Sequence, residues 1–468
     1  MRYNILIIFI YALSRIPFLE AGFGTDGDAW RIIENGLYFS TNYEYKWSRF
    51  PGYPLYEILI YFLVYKGPLI TNLVSAISGL FCIIIFKKLL EKFLRIDQRR
   101  STLISLIFCF TPAVWVSSTI TMDYLFAELF LLIAWYTLSN RKHKYISALF
   151  LGIATGVRPN NIIFIIPLMI GRFLIELKNN SSNSKIANNI GIYVFIYFFV
   201  TILAMMPVFI KYGFLSLFSL SPEIFLNNQS IMLIGYNIIR ATGVIGFLFF
   251  IAFFILIFYH NKSEINFPNF INDPNLIISL SGLIVNILLF IFSPYEPFYL
   301  IPAIPFLLYC LTSIVRNINW PSINYYMSIL LLVLIFSNFI DIKIWSRDST
   351  GKNSLVEPYI GKGILKDDYD MRKDLISESE YIFKTGNFKI PCVIITGWHF
   401  PIIRTYKKYY LEDEDCDCEI VQLLDKKSLI NYIENDVTIY FTNGVENLTN
   451  QIHQYSLNDF ENLNYIKY

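Results

Sequence analysis

Residues 20–57 read EAGFGTDGDAWRIIENGLYFSTNYEYKWSRFPGYPLYE, and they lie between two hydrophobic stretches. A connection that only joined two membrane helices could be a few polar residues. This one is long and rich in aromatic side chains from Trp30 onward, with Asp26 and Asp28 two positions apart and Arg31, Glu44, Arg49 and Glu57 following. Such a segment predicts a packed loop with a task of its own.

The surrounding chain explains where that loop sits. It has 468 residues, 55% hydrophobic and 16% charged, with a mean hydropathy of +0.48. Soluble domains are less apolar and carry about 25% charged residues, so the composition implies an integral membrane protein. A net charge of +2 is too small to suggest nucleic acid as a partner. The expected fold class is mainly α: a polytopic transmembrane helical bundle of about 11 spans over residues 1–342, with the long first outer loop at 20–66. Residues 343–468 read as a small soluble extracytoplasmic α/β domain, in which PCVIITGW, CEIVQLL and VTIYFTNG are buried strands, each followed by a helix.

Orientation follows from basic residues. KKLLEKFLRIDQRR carries six cations, Lys87 to Arg100, and marks a cytoplasmic loop under the positive-inside rule. The first loop then faces outward, as does the tail, and a plasma membrane fits a chain with no targeting segment beyond its first span. RKHK at 141–144, Lys262 and Arg316 fall inside, while FLSLFSLSPEIFL, in the outer 211–240 loop, could lie flat on the membrane. Gly156-Val157-Arg158-Pro159 interrupts the apolar run 145–171 and predicts two short helices meeting at Arg158. Three cysteines, Cys82, Cys109 and Cys310, lie in apolar spans; a bridge from Cys392 to Cys416 or Cys418 is open.

Several side chains could carry chemistry. Asp26 and Asp28 are suited to take a proton from a hydroxyl at the membrane surface, or to hold a divalent metal with water and phosphate completing its shell. The competing structural role is that Thr25 or Asp26 caps the helix that begins near Asp28. Arg49 and Arg158 offer planar, permanently charged groups for a phosphate, with snorkelling as the alternative for Arg158. Asp123 lies at the outer end of a span and Glu296 in the last outer turn; both are candidate substrate-binding groups, against capping and turn roles. The four histidines are scattered, which argues against a histidine metal site.

FGTDGDAWR, SRFPGYPLYE, TMDYLFAEL, ATGVRPN and EPFYLIPAIPF, in this order between spans, resemble the polytopic GT-C-type glycosyltransferases. More narrowly they are similar to relatives of the protein O-mannosyltransferases and aminoarabinose transferases. The resemblance implies transfer of a sugar from a polyprenyl-phosphate donor to a glycan, lipid or protein acceptor on the outer face, with membrane lipid as a further partner. It implies that Asp26 or Asp28 is the general base and that Arg158 and Arg49 meet the donor phosphate. It also implies a departure, because many relatives place Arg or His where this chain has Glu296. A lipid or solute transporter is the competing class, and it would gather its ionisable groups near the bilayer midplane.

Overall fold

The computed structural model describes residues 2–138, 143–179, 182–214, 228–260, 273–315, 323–347, 353–385, 388–411, 418–422, 431–432, 434–442 and 463–465. The proposed interfacial segment after Phe214, Lys262, Arg316, Cys416 and the Arg141-Lys142 half of RKHK lie outside them.

The first half is helical: α1 (Arg2–Arg15), α2 (Gly27–Asn42), α3 (Pro54–Tyr61), α4 (Gly67–Leu89), α5 (Gln98–Phe110), α6 (Pro112–Ser117), α7 (Tyr124–Leu138) and α8 (Lys144–Val157). Then come α9 (Ile165–Lys178), α10 (Asn183–Tyr212), α11 (Asn228–Thr242), α12 (Val244–His260), α13 (Pro274–Phe292), α14 (Ala303–Val315) and α15 (Ile323–Ser337). The protein is an integral membrane protein built on these apolar helices.

By length and composition, five described helices could each cross a membrane, and six if α11 and α12 count as one broken span. That is fewer than the eleven crossings read from the sequence, for a physical reason. Several apolar stretches are divided by proline: 101–118 at Pro112 and 145–171 at Pro159. Of the pieces, α5, α6 and α8 are too short to cross alone, whereas the piece from Pro159 to Lys178 is one of the five that are long enough. The α11–α12 pair bends by 85° at Gly243. Gly243 has φ +76°, and a Cβ there would meet the Asp341 carboxylate at 2.7 Å. That carboxylate accepts the N–H groups of Val244 and Ile245 at 2.8 and 3.0 Å, satisfying the orphan donors that open α12.

The sequence reading placed a span over 322–342, but α15 stops at Ser337 and a hairpin follows: β1 (Ile340–Arg347) pairs antiparallel with β2 (Asn353–Lys362). Next come the amphipathic α16 (Ile364–Thr385), β3 (Cys392–Ile395), α17 (Phe400–Tyr410), β4 (Glu419–Val421), β5 (Thr438–Phe441) and β6 (Leu463–Tyr465). The three apolar runs expected as strands are strands, and they share a parallel sheet in the order β4-β3-β5-β6. Cys392 is disulfide-bonded to Cys418, which joins the starts of two neighbouring strands. Cys82, Cys109 and Cys310 are free and buried.

The tail does not hang free of the helices. The buried Arg372 of α16 donates to the carbonyls of Thr119 (2.8 Å) and Phe18 (3.2 Å), and its Nε pairs with Asp368 at 2.9 Å. Asp368 in turn accepts from Thr25 at 3.0 Å, directly before the Asp26–Asp28 pair. On α17, Arg404 and Lys408 both pair with Glu34 of α2, and the Thr405 hydroxyl donates to the Trp30 carbonyl.

Candidate active site

Three site residues share one local rule. Tyr53, Arg158 and Glu296 each directly precede a proline that opens the next helical turn. The proline ring disfavours helical backbone in the residue before it. Arg158 accordingly has φ −142° and ψ 103°, and Glu296 has φ −134° and ψ 136°. An extended residue between two helices turns its side chain out of both ladders, so helix breaks deliver these groups to one region.

The loop 43–53 is held in shape by Glu57. Its buried carboxylate accepts from the backbone N–H groups of Ser48 (2.7 Å) and Tyr53 (3.0 Å) and from the hydroxyls of Ser48 and Tyr45. Trp47 stacks on Tyr212 of α10 at 3.6 Å between ring centroids. Lys211 pairs with Glu44 beside it. Glu57 is thus a structural carboxylate, and Lys211 is an ion-pair partner of the loop.

That scaffold presents Arg49, which carries the centre of the site. Arg49 pairs with Asp28 at 3.6 Å and makes a close ion pair with Asp123. The other oxygen of Asp123 accepts from Arg158 at 2.9 Å. Asp28 also pairs with Arg31, one turn along α2, at 2.8 Å. A continuous line therefore runs Arg31–Asp28–Arg49–Asp123–Arg158. Tyr53 lies under Arg49 with the guanidinium carbon 3.9 Å from the ring centre, and Tyr124 and Tyr299 face Arg158 at 4.3 and 5.0 Å.

Asp123 is fully buried, with both oxygens occupied by arginines. Its geometry is that of a bracket that sets the two guanidinium planes. Asp26 is the N-cap of α2: its carboxylate accepts from the Asp28 N–H at 3.0 Å. Burial and the neighbouring Asp28 push the Asp26 carboxyl above its ordinary value. Of Thr25 and Asp26, the capping role thus falls on Asp26, while Thr25 donates to Asp368 and Asp28 reaches the arginines. Glu296 stands close enough to Tyr124, Tyr299 and Arg240 for its charge to act on all three. Asp28, Arg49, Asp123 and Arg158 are thus joined by ion pairs, and Asp26 caps the helix that carries Asp28. Among the described residues, no group of three or more His, Cys, Asp or Glu side chains gathers as a metal-ligand set.

Beside this line lies a pocket lined by Tyr124, Glu128, Arg158, Asn161, Asn286 and Tyr299, among others. Sequence reasoning missed Glu128, although it stands in the TMDYLFAEL motif; its signal was a lone carboxyl in an otherwise apolar helix.

No family model matches the chain, and no curated protein matches it in sequence. Solved structures resemble it in fold. ArnT from Cupriavidus metallidurans bound to undecaprenyl phosphate superimposes with a TM-score of 0.56 at 12% identity, covering 92% of this chain and 88% of that one. The apo state of the same protein gives 0.55 at 11% identity with the same coverage. The chain shares the fold of ArnT.

Proposed function

We propose that this protein is a membrane glycosyltransferase that moves a sugar from a polyprenyl-phosphate-linked donor to an acceptor hydroxyl. The observation that carries the reading is the Asp28–Arg49–Asp123–Arg158 line, set in a fold shared with a protein solved with undecaprenyl phosphate. The ionisable groups of that line sit at helix starts and breaks, which suits chemistry at a membrane surface better than a transport path at the midplane.

In the proposed step the acceptor oxygen attacks the anomeric carbon of the sugar. The bond from that carbon to the phosphate oxygen breaks, and its electron pair leaves on the lipid phosphate. Attack opposite the leaving group inverts the anomeric centre. The acceptor proton passes to Asp28, the carboxylate of the pair that reaches the arginines. Arg158 and Arg49 stabilise the departing phosphate with the N–H groups that Asp123 leaves uncommitted, an electrostatic contribution often the largest in such a reaction. Glu296 directly contacts no phosphate in this scheme, since like charges repel; it faces Arg240 and the two tyrosines instead.

In this reading residues 1–342 form the transmembrane catalytic unit and residues 343–468 an extracytoplasmic α/β unit. Both the first loop and the tail face outward at a plasma membrane, in keeping with the basic Lys87–Arg100 loop on the opposite side.

The test is transfer of radiolabelled sugar from polyprenyl-phosphate donors in membranes. Asp28→Asn should lose about 10²- to 10⁴-fold in rate, the usual contribution of a positioned base. Asp26→Asn should lose far less, because Asn caps a helix as well as Asp. Equal rates for wild type and Asp28→Asn, with normal insertion of both, would remove the proposed base.

A further inference from the structure

Glu128 is a buried carboxyl that the site described above leaves unexplained. It lies on α7 beyond Asp123, is 1% exposed, and neither carboxyl oxygen has a hydrogen-bond partner among the described residues. Asn286 of α13, also 1% exposed, lines the same pocket with its amide oxygen unpartnered, while its NH2 donates to the Tyr299 carbonyl at 3.3 Å. An unpartnered buried carboxyl costs several kcal/mol relative to water, so a side chain of this kind normally has a donor. An ionisable group inside a membrane helix is a functional candidate for the same reason.

The pocket defines what would supply that donor. Its polar lining combines the acceptors of Glu128 and Asn286 with the amides of Asn160 and Asn161, and Arg158 stands at its edge. Phe298 and Tyr299 add aromatic walls. A phosphate would bring only acceptor oxygens and would leave the Asn286 amide oxygen without a donor. A ring bearing several O–H or N–H groups would satisfy both orphan acceptors and rest its C–H face on the aromatic wall. Arg158 lines this pocket and also pairs with Asp123, so one guanidinium borders both the phosphate-binding line and the acceptor-rich pocket.

We infer that the Glu128–Asn286 pocket is the subsite for the donor's sugar, with Glu128 and Asn286 accepting hydrogen bonds from its hydroxyl or amine groups. This rests on the glycosyltransferase reading above, and it assigns Glu128 a role in sugar recognition while leaving the phosphate to the arginines.

The test measures equilibrium binding of bare polyprenyl phosphate and of polyprenyl phosphate carrying a neutral hexose, an N-acetylhexosamine or an amino-pentose. Wild type, Glu128→Gln and Arg158→Gln are compared in detergent with the full chain. The inference expects wild type to bind at least one sugar-bearing lipid more tightly than the bare lipid. Glu128→Gln should then lose about ten-fold or more of that surplus, since it replaces a carboxyl oxygen with an amide donor and leaves a sugar hydrogen-bond donor unmatched, while the bare lipid binds it as it binds wild type. The sugar giving the largest loss identifies whether hydroxyls or an amine face Glu128. Glu128→Gln equal to wild type for every sugar, an equal loss for bare and sugar-bearing lipid, or no surplus for any sugar would each overturn the subsite. Bare-lipid binding indifferent to Arg158→Gln would instead count against the glycosyltransferase reading itself. Gln has the shape of Glu, and unchanged bare-lipid affinity reports that the variant is folded.

Discussion

Asp123 and Glu34 are carboxylates that each hold two cations, and their settings differ. Asp123 joins Arg49 to Arg158 in full burial, next to a pocket with unsatisfied acceptors. Glu34 joins Arg404 to Lys408 near the surface, where those cations keep 34% and 46% of their side-chain exposure. Both clusters lie against α2, one reaching its first turn through Asp28 and one gripping its middle. Electrostatic energy in water-exposed pairs is small and screened, whereas buried pairs are costly to break. The contrast separates a cluster built to hold charge in a fixed geometry from one that docks a helix.

The sharpest break of that contrast is Asp123→Asn. It keeps the side chain's shape but leaves two buried guanidinium groups without their shared anion. Loss of one partner from a buried pair costs about 3–5 kcal/mol. Thermal unfolding in detergent should show it as a large drop in Tm together with loss of sugar transfer; an unchanged Tm would mean that water reaches the cluster freely. Arg372→Met comes next. It strips the Thr119 and Phe18 carbonyls of a donor and leaves Asp368 without its cation, at a cost of about 2–3 kcal/mol. Because Asp368 also holds Thr25, this substitution should raise hydrogen exchange in residues 22–28 as well as in α16. Exchange confined to α16 would show that the tail does not brace the loop.

Much of the fold was written in local sequence. The proline break at Pro159 and the apolar strands of the tail depend on neighbours in the chain, so they announced themselves, whereas 101–118 was read through Pro112 as one span. Asp26, Asp28, Arg49, Asp123 and Arg158 also stood out, because charge is expensive beside a membrane and has few innocent uses. The hairpin β1–β2 was not legible: Ile340-Asp341-Ile342 continues an apolar run, and only pairing with residues 353–362 makes it a strand. The bracket role of Asp123 was hidden for a related reason, since it depends on two arginines from separate helix breaks converging. Glu34 with Arg404 and Lys408 is the extreme case, a contact across some 370 positions that one sequence does not encode visibly.

That last cluster yields the smallest effect and the cleanest test of the comparison. Burial opposes ionisation of Glu34, but Arg404 and Lys408 outweigh it and hold the carboxyl below its ordinary value of 4.5. A carboxylate whose folded value is depressed contributes stability that is complete above the unfolded value and is lost as pH falls through the folded one. Docking of α17 on α2 should therefore be unchanged near neutral pH and weaken only below about 4.5, followed as hydrogen exchange in residues 400–410. Glu34→Gln should bring a loss of about 0.5–1 kcal/mol at pH 7, abolish the acid dependence, and remove most of the salt sensitivity, because the cations are exposed enough to be screened. The Thr405 bond to the Trp30 carbonyl survives that substitution and keeps the helix in place. A loss as large as that of Asp123→Asn would mean that the tail cluster is as buried in solution as the one beside the pocket, and that docking and catalysis share one electrostatic unit.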